Sequence, residues 1–90
     1  MTTQPPSIYD IYKKARKRGP ERDMGAVSTV LDFVEIIYRK INLPTYAFAR
    51  QVGVEAQTVR LWLKRSGNVP TPKVMEKLIY LYQENFKNEF

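Results

Sequence analysis

The chain contains neither cysteine nor histidine among its 90 residues. Disulfides and thiolate chemistry are therefore excluded, and so are the commonest zinc sites, which need cysteine or histidine ligands. The side chain most often used as a general base is also missing. The nine acidic residues are scattered, and no glycine-rich phosphate loop is visible. We therefore expect no enzymatic activity, no metal and no cofactor.

Long apolar runs are also missing. No stretch approaches the roughly 18 to 20 apolar residues that a membrane-spanning helix needs. The first seven residues are polar and include two prolines, unlike the apolar core of a signal peptide. With no cysteine to form disulfides, this composition favours a soluble, cytoplasmic protein with no membrane partner.

Charge is unevenly distributed along the chain, whose net charge is +6. Residues 1–22 carry a net +4, residues 23–38 a net −3, and residues 39–65 a net +5, while the remainder is neutral. Two basic blocks therefore flank an acidic one. A polyanionic partner would favour the basic blocks.

Apolar residues recur at helical spacing along the whole chain, and no stretch alternates with the period of a strand. The sequence thus predicts an all-α fold, a small bundle of about five helices. The expected helices are Ser7 to Arg18 with Ser7 as its cap, Ser28 or Thr29 to about Lys40, Thr45 to Val52 capped by Thr45, Ala56 to about Arg65, and a last helix that starts at Thr71-Pro72 and frays from Gln83.

We predict three parts: a basic arm or helix at 1–25, a helical domain at 26–84 that the motif described next identifies, and a short tail at 85–90. The middle part is defined by the spacing of residues within Thr45 to Lys64. If Thr45 is the first position, apolar residues occupy the fourth, eighth, tenth, fifteenth and eighteenth positions: Phe48, Val52, Val54, Val59 and Trp62. Ala49 is small enough for two helices to cross closely, and Gly53 tolerates the positive φ of a tight turn.

This segment resembles the helix-turn-helix of DNA-binding repressors and activators. Its setting resembles the phage repressor and Cro-like (Xre-like) family, because a longer helix precedes it and a loop with a further helix follows. The resemblance covers about residues 28 to 82. Two features depart from the family pattern: Glu55 stands where a small or hydroxyl-bearing helix cap is usual, and the helix from Ser7 to Arg18 has no clear counterpart.

The resemblance implies that the helix starting near Ala56 enters the major groove of double-stranded DNA. The implied base contacts are Gln57, Thr58, Arg60, Leu61 and Lys64, and the implied phosphate contacts are Thr45, Tyr46, Arg50, Arg65, Ser66 and Asn68. For each polar residue among them, the alternative is an ordinary solvated surface. Leu61 has a different alternative, burial in the core beside Trp62.

Each of two further groups of residues has two alternative interpretations. The basic cluster Lys13, Lys14, Arg16, Lys17 and Arg18 is either a DNA-binding arm or the solvated side of a helix whose apolar side docks on the core or on a partner subunit. The aromatic residues Tyr80, Tyr82 and Phe86 form either a dimer surface or ordinary core.

The leading hypothesis is a sequence-specific DNA-binding transcription regulator, expected to act as a homodimer because one short helix reads few base pairs. A protein-interaction module, such as an antitoxin or an anti-repressor, is the main alternative. An architectural or recombination accessory protein that bends DNA is another.

Overall fold

The computed structural model describes residues 7–17 and 19–86, and this part of the chain is entirely helical. Its α-helices are α1 (Ile8–Arg16), α2 (Met24–Ile41), α3 (Thr45–Val52), α4 (Ala56–Leu63) and α5 (Pro72–Phe86), with a short 3₁₀ turn at Gly19–Glu21 between α1 and α2. The predicted small all-α bundle of about five helices is confirmed. Within the described residues, no helix has both the length and the apolar character needed to cross a membrane.

Helix α1 begins as predicted and ends earlier. The Ser7 hydroxyl accepts a hydrogen bond from the Asp10 amide at 3.2 Å, which satisfies one of the free donors of the first turn. The prediction that this helix reaches Arg18 is wrong, because Lys17 already has an extended backbone with ψ of 150°. Arg18 itself lies outside the described residues.

Helix α2 begins at Met24, so the predicted start at Ser28 or Thr29 is wrong. A carboxylate oxygen of Asp23 accepts a hydrogen bond from the Ala26 amide at 3.0 Å and caps the helix. Gly25 disfavours a helix here, since glycine weakens helix interiors by about 1 kcal/mol relative to alanine. A good cap is worth a similar amount, so the helix forms through Gly25. At the other end Asn42 is left-handed, with φ of 58°, and stops the helix one residue beyond the prediction.

Helix α5 begins at Pro72 as predicted and extends beyond the expected fraying point at Gln83. The Phe86 ring stacks on Tyr82 with centroids 4.6 Å apart. The Lys40 ammonium lies 5.2 Å from the centroid of the same Phe86 ring. These contacts attach the last turn of α5 to α2, which the polar composition of this segment did not indicate.

Helix α2 is the centre of the bundle and contacts α1, α4 and α5. Its buried face includes Val30, Val34 and Ile37, each with no exposed surface. Tyr12 and Ala15 bury the apolar side of α1 in the same core. Helix α1 is therefore docked on the bundle, with its basic side chains outward.

Candidate nucleic-acid interface

The turn between α3 and α4 depends on Gly53, which has φ of +79°. The amide of Gly53 donates to the Ala49 and Arg50 carbonyls, and the Val54 amide donates to Ala49 at 2.9 Å. A side chain here would strain the left-handed backbone. Its Cβ would also lie 3.0 Å from the Lys77 ammonium nitrogen. The requirement for glycine at this position is therefore confirmed.

Helices α3 and α4 pack on each other and on the rest of the core through the predicted apolar positions. Phe48, Val52, Val59 and Trp62 are buried and Val54 is half-buried. Each fully buried side chain of this size contributes about 1.5–3 kcal/mol. Ala49 is 2% exposed, so the crossing has no room for a larger residue there. Because its inner side is held so firmly, α4 has a fixed orientation.

The outer face of α4 carries four of the five predicted base-contacting residues. At 3.6 residues per turn, Gln57, Arg60, Leu61 and Lys64 fall within an arc of about 100°, opposite the buried Val59 and Trp62. Gln57, Arg60 and Lys64 are exposed, whereas Leu61 is half-buried. This arc is named the outer face of α4 below.

Thr58, the fifth predicted base contact, lies away from that face. It is half-buried and lines a cavity of about 370 Å³ together with Trp62 and Pro70. Glu55, which precedes α4, is exposed, and its side chain makes no capping hydrogen bond.

Helix α4 ends at Leu63, so the predicted end at Arg65 is wrong. Arg65 has φ of 60°, and its amide donates to the Trp62 carbonyl at 3.1 Å. A left-handed residue cannot continue a right-handed helix. The Ser66 hydroxyl, a predicted phosphate contact, donates to the Leu61 carbonyl at 3.1 Å.

The guanidinium of Arg65, another predicted phosphate contact, is held by the acidic side of α2. One terminal nitrogen lies 2.7 Å from an Asp32 oxygen and 3.1 Å from a Glu35 oxygen. The other terminal nitrogen donates to the Ser28 carbonyl at 3.3 Å. The side-chain hydrogen bond to Asp32 raises the pKa of Arg65 above its usual value. Sequence reasoning found the acidic block but missed this role. The spacing of Asp32 and Glu35 puts both carboxylates on one face of a helix, and this spacing is the sequence signal for a site that could bind a cation such as Arg65.

At the start of α3 the predicted cap at Thr45 is wrong, since Thr45 is the first helical residue and Pro44 precedes it. The Thr45 hydroxyl instead lies 2.9 Å from the Tyr38 hydroxyl on α2. No side chain caps this helix end. Tyr46 is 67% exposed and Arg50 is exposed, so both predicted phosphate contacts are accessible.

The segment from α1 to Arg22 is attached to the loop that follows α4. The buried Tyr12 hydroxyl donates to the Pro70 carbonyl, and an Arg22 guanidinium nitrogen donates to the Gly67 carbonyl. Burial raises the pKa of the Tyr12 hydroxyl, and the nearby Arg16 partly opposes that rise. Arg22 carried no local sequence signal, because its partner is 45 residues away in the chain.

The basic side chains of α1 are accessible. Lys13, Lys14, Arg16 and Lys17 are exposed. Lys13 lies over the Tyr9 ring, 5.3 Å from its centroid.

The aromatic residues of α5 divide between core and surface. Tyr82 and Phe86 are half-buried, whereas Tyr80 is 60% exposed. Tyr82 also packs against Phe33 of α2, with ring centroids 5.2 Å apart.

Comparison of this chain with protein-family models, with curated proteins and with solved structures gave no match.

Proposed function

We propose that this protein is a sequence-specific regulator of transcription that binds double-stranded DNA as a homodimer and reads the major groove with α4. The outer face of α4 is the observation that carries the proposal. It presents Gln57, Arg60 and Lys64 to solvent on a helix that is fixed from behind by Val59 and Trp62. A major groove about 12 Å wide accepts one α-helix. The resemblance of Thr45 to Lys64 to the helix-turn-helix of Xre-like repressors supports the same assignment.

The chemistry of this face matches the edges of bases. Arg60 can donate two hydrogen bonds to O6 and N7 of guanine, and Gln57 can pair with N6 and N7 of adenine. Leu61 offers an apolar contact for a thymine methyl group. No acidic residue lies on the face, so nothing on it repels the DNA backbone.

Phosphate contacts on either side of the groove would set the register of α4. At one side lies the start of α3, which no side chain caps and where Tyr46 and Arg50 are exposed, and helix N-termini favour anions. At the other side lie Lys64 and Asn68, which are both exposed. Arg65 contributes little charge to this flank, because Asp32 and Glu35 neutralise it.

Substitution of two arginines distinguishes contacts that recognise the base sequence from general electrostatic attraction to DNA. Arg60→Ala removes a side chain from the outer face of α4, whereas Arg50→Ala removes the same charge from α3. We expect Arg60→Ala to lower the preference for a selected site over a scrambled duplex by about 1–3 kcal/mol. We expect Arg50→Ala to weaken binding to both duplexes equally, with the preference retained. Fluorescence anisotropy with labelled duplexes measures both quantities.

The proposal fails if Arg60→Ala binds both duplexes as the unmodified protein does. If the unmodified protein binds no random duplex at micromolar concentration and low salt, the protein-interaction module becomes the favoured function. If the unmodified protein does bind duplex, a circular-permutation bending assay on the complex distinguishes a regulator from an architectural protein.

A further inference from the structure

A second cavity, about 370 Å³ in volume, lies between the end of α1 and the loop that follows α4. Among the described residues that line it, Arg16, Lys17 and Arg22 are cationic and none is acidic. Cations that line one concave surface repel one another, and an anion bound there would relieve that repulsion. The cavity therefore has the charge of an anion site, and it is separate from the outer face of α4.

Arg22 has a donor that no described residue accepts from. Its terminal nitrogen is bonded to the Gly67 carbonyl, which fixes the side chain. Its Nε atom is buried and has no hydrogen-bond partner among the described residues. A buried donor without a partner is unfavourable, because it has lost its hydrogen bonds to water. A bound oxyanion would supply the missing acceptor, and the planar guanidinium can donate two parallel hydrogen bonds to two oxygens of a phosphate.

The position of the cavity relates it to α4. Tyr12 and Arg22 bond the α1 segment to Pro70 and Gly67, so the cavity is built on the loop that leaves α4. Asn68 in its wall is four residues after Lys64, and four residues span at most about 14 Å. That distance is comparable with the major-groove width of about 12 Å. A phosphate at the edge of the groove occupied by α4 is therefore within reach of this cavity.

We propose that the cavity formed by Arg16, Lys17, Arg22 and Asn68 binds one backbone phosphate of DNA beside the groove that α4 reads. This inference rests on the proposed function. Of the basic cluster of α1, only Arg16 and Lys17 would contact this phosphate, together with Arg22. The contact would help to set the register of α4 on the duplex.

Two double variants with the same change of charge test the assignment. Arg16→Gln with Lys17→Gln alters the cavity. Lys13→Gln with Lys14→Gln alters the same helix outside it and serves as the control. Binding of the full chain to a random duplex is measured by anisotropy between about 50 and about 200 mM salt. We expect the cavity variant to lower the slope of log K against log salt by about 1, and the control to lower it by less than half as much.

The Nε–H resonance of Arg22 in the unmodified protein gives a second readout by NMR. We expect it to shift on addition of duplex, and to shift saturably with inorganic phosphate at millimolar concentration. Thermal unfolding of both double variants identifies any loss of fold. If the cavity variant does not fold, the Arg22 resonance of the unmodified protein alone tests whether the cavity binds a phosphate of DNA.

Each remaining outcome overturns the inference. Equal slopes for the two double variants mean that α1 attracts DNA through its general charge, with no phosphate bound in the cavity. An Arg22 resonance that responds to inorganic phosphate but not to duplex identifies a site for a free anion. Either result leaves the reading of DNA by α4 intact, whereas failure of the unmodified protein to bind any duplex overturns the proposed function as well.

Discussion

Tyr12 shows how one side chain joins distant parts of this fold. Its ring is 2% exposed, and its hydroxyl donates to Pro70, 58 residues further along the chain. Burial raises the pKa of this hydroxyl above that of an exposed tyrosine, which is 10.0. The folded protein therefore holds the proton more tightly than the unfolded chain does. The stability contributed by this difference is fully present below about pH 10 and is lost as pH rises through the folded-state pKa.

The pH dependence of the Tyr12→Phe variant follows from this sign. At pH 8 we expect the variant to be about 1–3 kcal/mol less stable than the unmodified protein, because the Pro70 carbonyl loses its buried donor. As pH rises above about 10 the difference should shrink, since only the unmodified protein loses the tyrosine contribution. Urea unfolding followed by circular dichroism from pH 8 to pH 11.5 measures it. Parallel stability curves for the two proteins would contradict the assignment.

Residues whose roles are local were predictable from the sequence. Ser7 bonds three residues ahead, and Ala49 and Gly53 act within one turn, so their residue types carry the information. Arg22 and Arg65 are different, because their partners lie 30 or more residues away. The sequence around an arginine next to a helix is the same whether its side chain faces DNA, water or a carboxylate.

Helix boundaries were predicted least well where two signals compete. At the start of α2 the Asp23 cap outweighs Gly25. At the end of α4 no proline or glycine marks the stop, because Arg65 itself adopts the left-handed conformation. At the end of α5 the aromatic contacts of Phe86 extend a helix whose composition is polar. In each case a tertiary contact or a cap determines the boundary, and the spacing of apolar residues predicts neither of them.

The turn between α3 and α4 sets the angle at which α4 projects, and Gly53 tests its importance. Gly53→Ala places a Cβ on a backbone with φ of +79° and 3.0 Å from the Lys77 nitrogen. We expect a loss of about 1–2 kcal/mol in the free energy of unfolding. Gly53→Asn introduces the same Cβ contact with a residue that tolerates the left-handed region better. It should therefore lose less.

Urea unfolding of the two Gly53 variants separates backbone strain from crowding. A smaller loss of stability for Gly53→Asn than for Gly53→Ala assigns the cost to the left-handed backbone at this position. Equal losses assign it to the contact with Lys77, and a further Lys77→Ala change should then restore most of the stability. Loss of duplex binding that exceeds the loss of stability would show that the turn also orients α4.

At the scale of the whole molecule, charge is separated between two surfaces. Asp32 and Glu35 of α2 neutralise Arg65, and Glu35 also bonds Arg39 at 2.8 Å. The cations that remain exposed include those of α1 and those of the outer face of α4. Under the proposed function, these exposed cations attract an approaching duplex.

The size of the molecule constrains how two copies share one site. The chain measures 41 × 35 × 19 Å, and half-sites on one face of DNA are about 34–36 Å apart, or 10–10.5 base pairs. Two copies side by side fit this spacing only if the longest dimension points away from the DNA axis. We therefore expect sites selected from a random duplex pool to contain two inverted half-sites whose centres lie about one helical turn apart.

Insertion of about five base pairs between the half-sites tests this geometry, because it rotates one half-site to the opposite face of the duplex. We expect cooperative binding of two chains to be lost, while each half-site alone keeps its affinity. Replacement of the base pairs between the half-sites, with their number unchanged, keeps the spacing and is the matched control. Sedimentation of the complexes gives the number of chains per duplex. A selected motif without symmetry, bound by one chain, would contradict the dimer and leave the role of α4 in the groove intact.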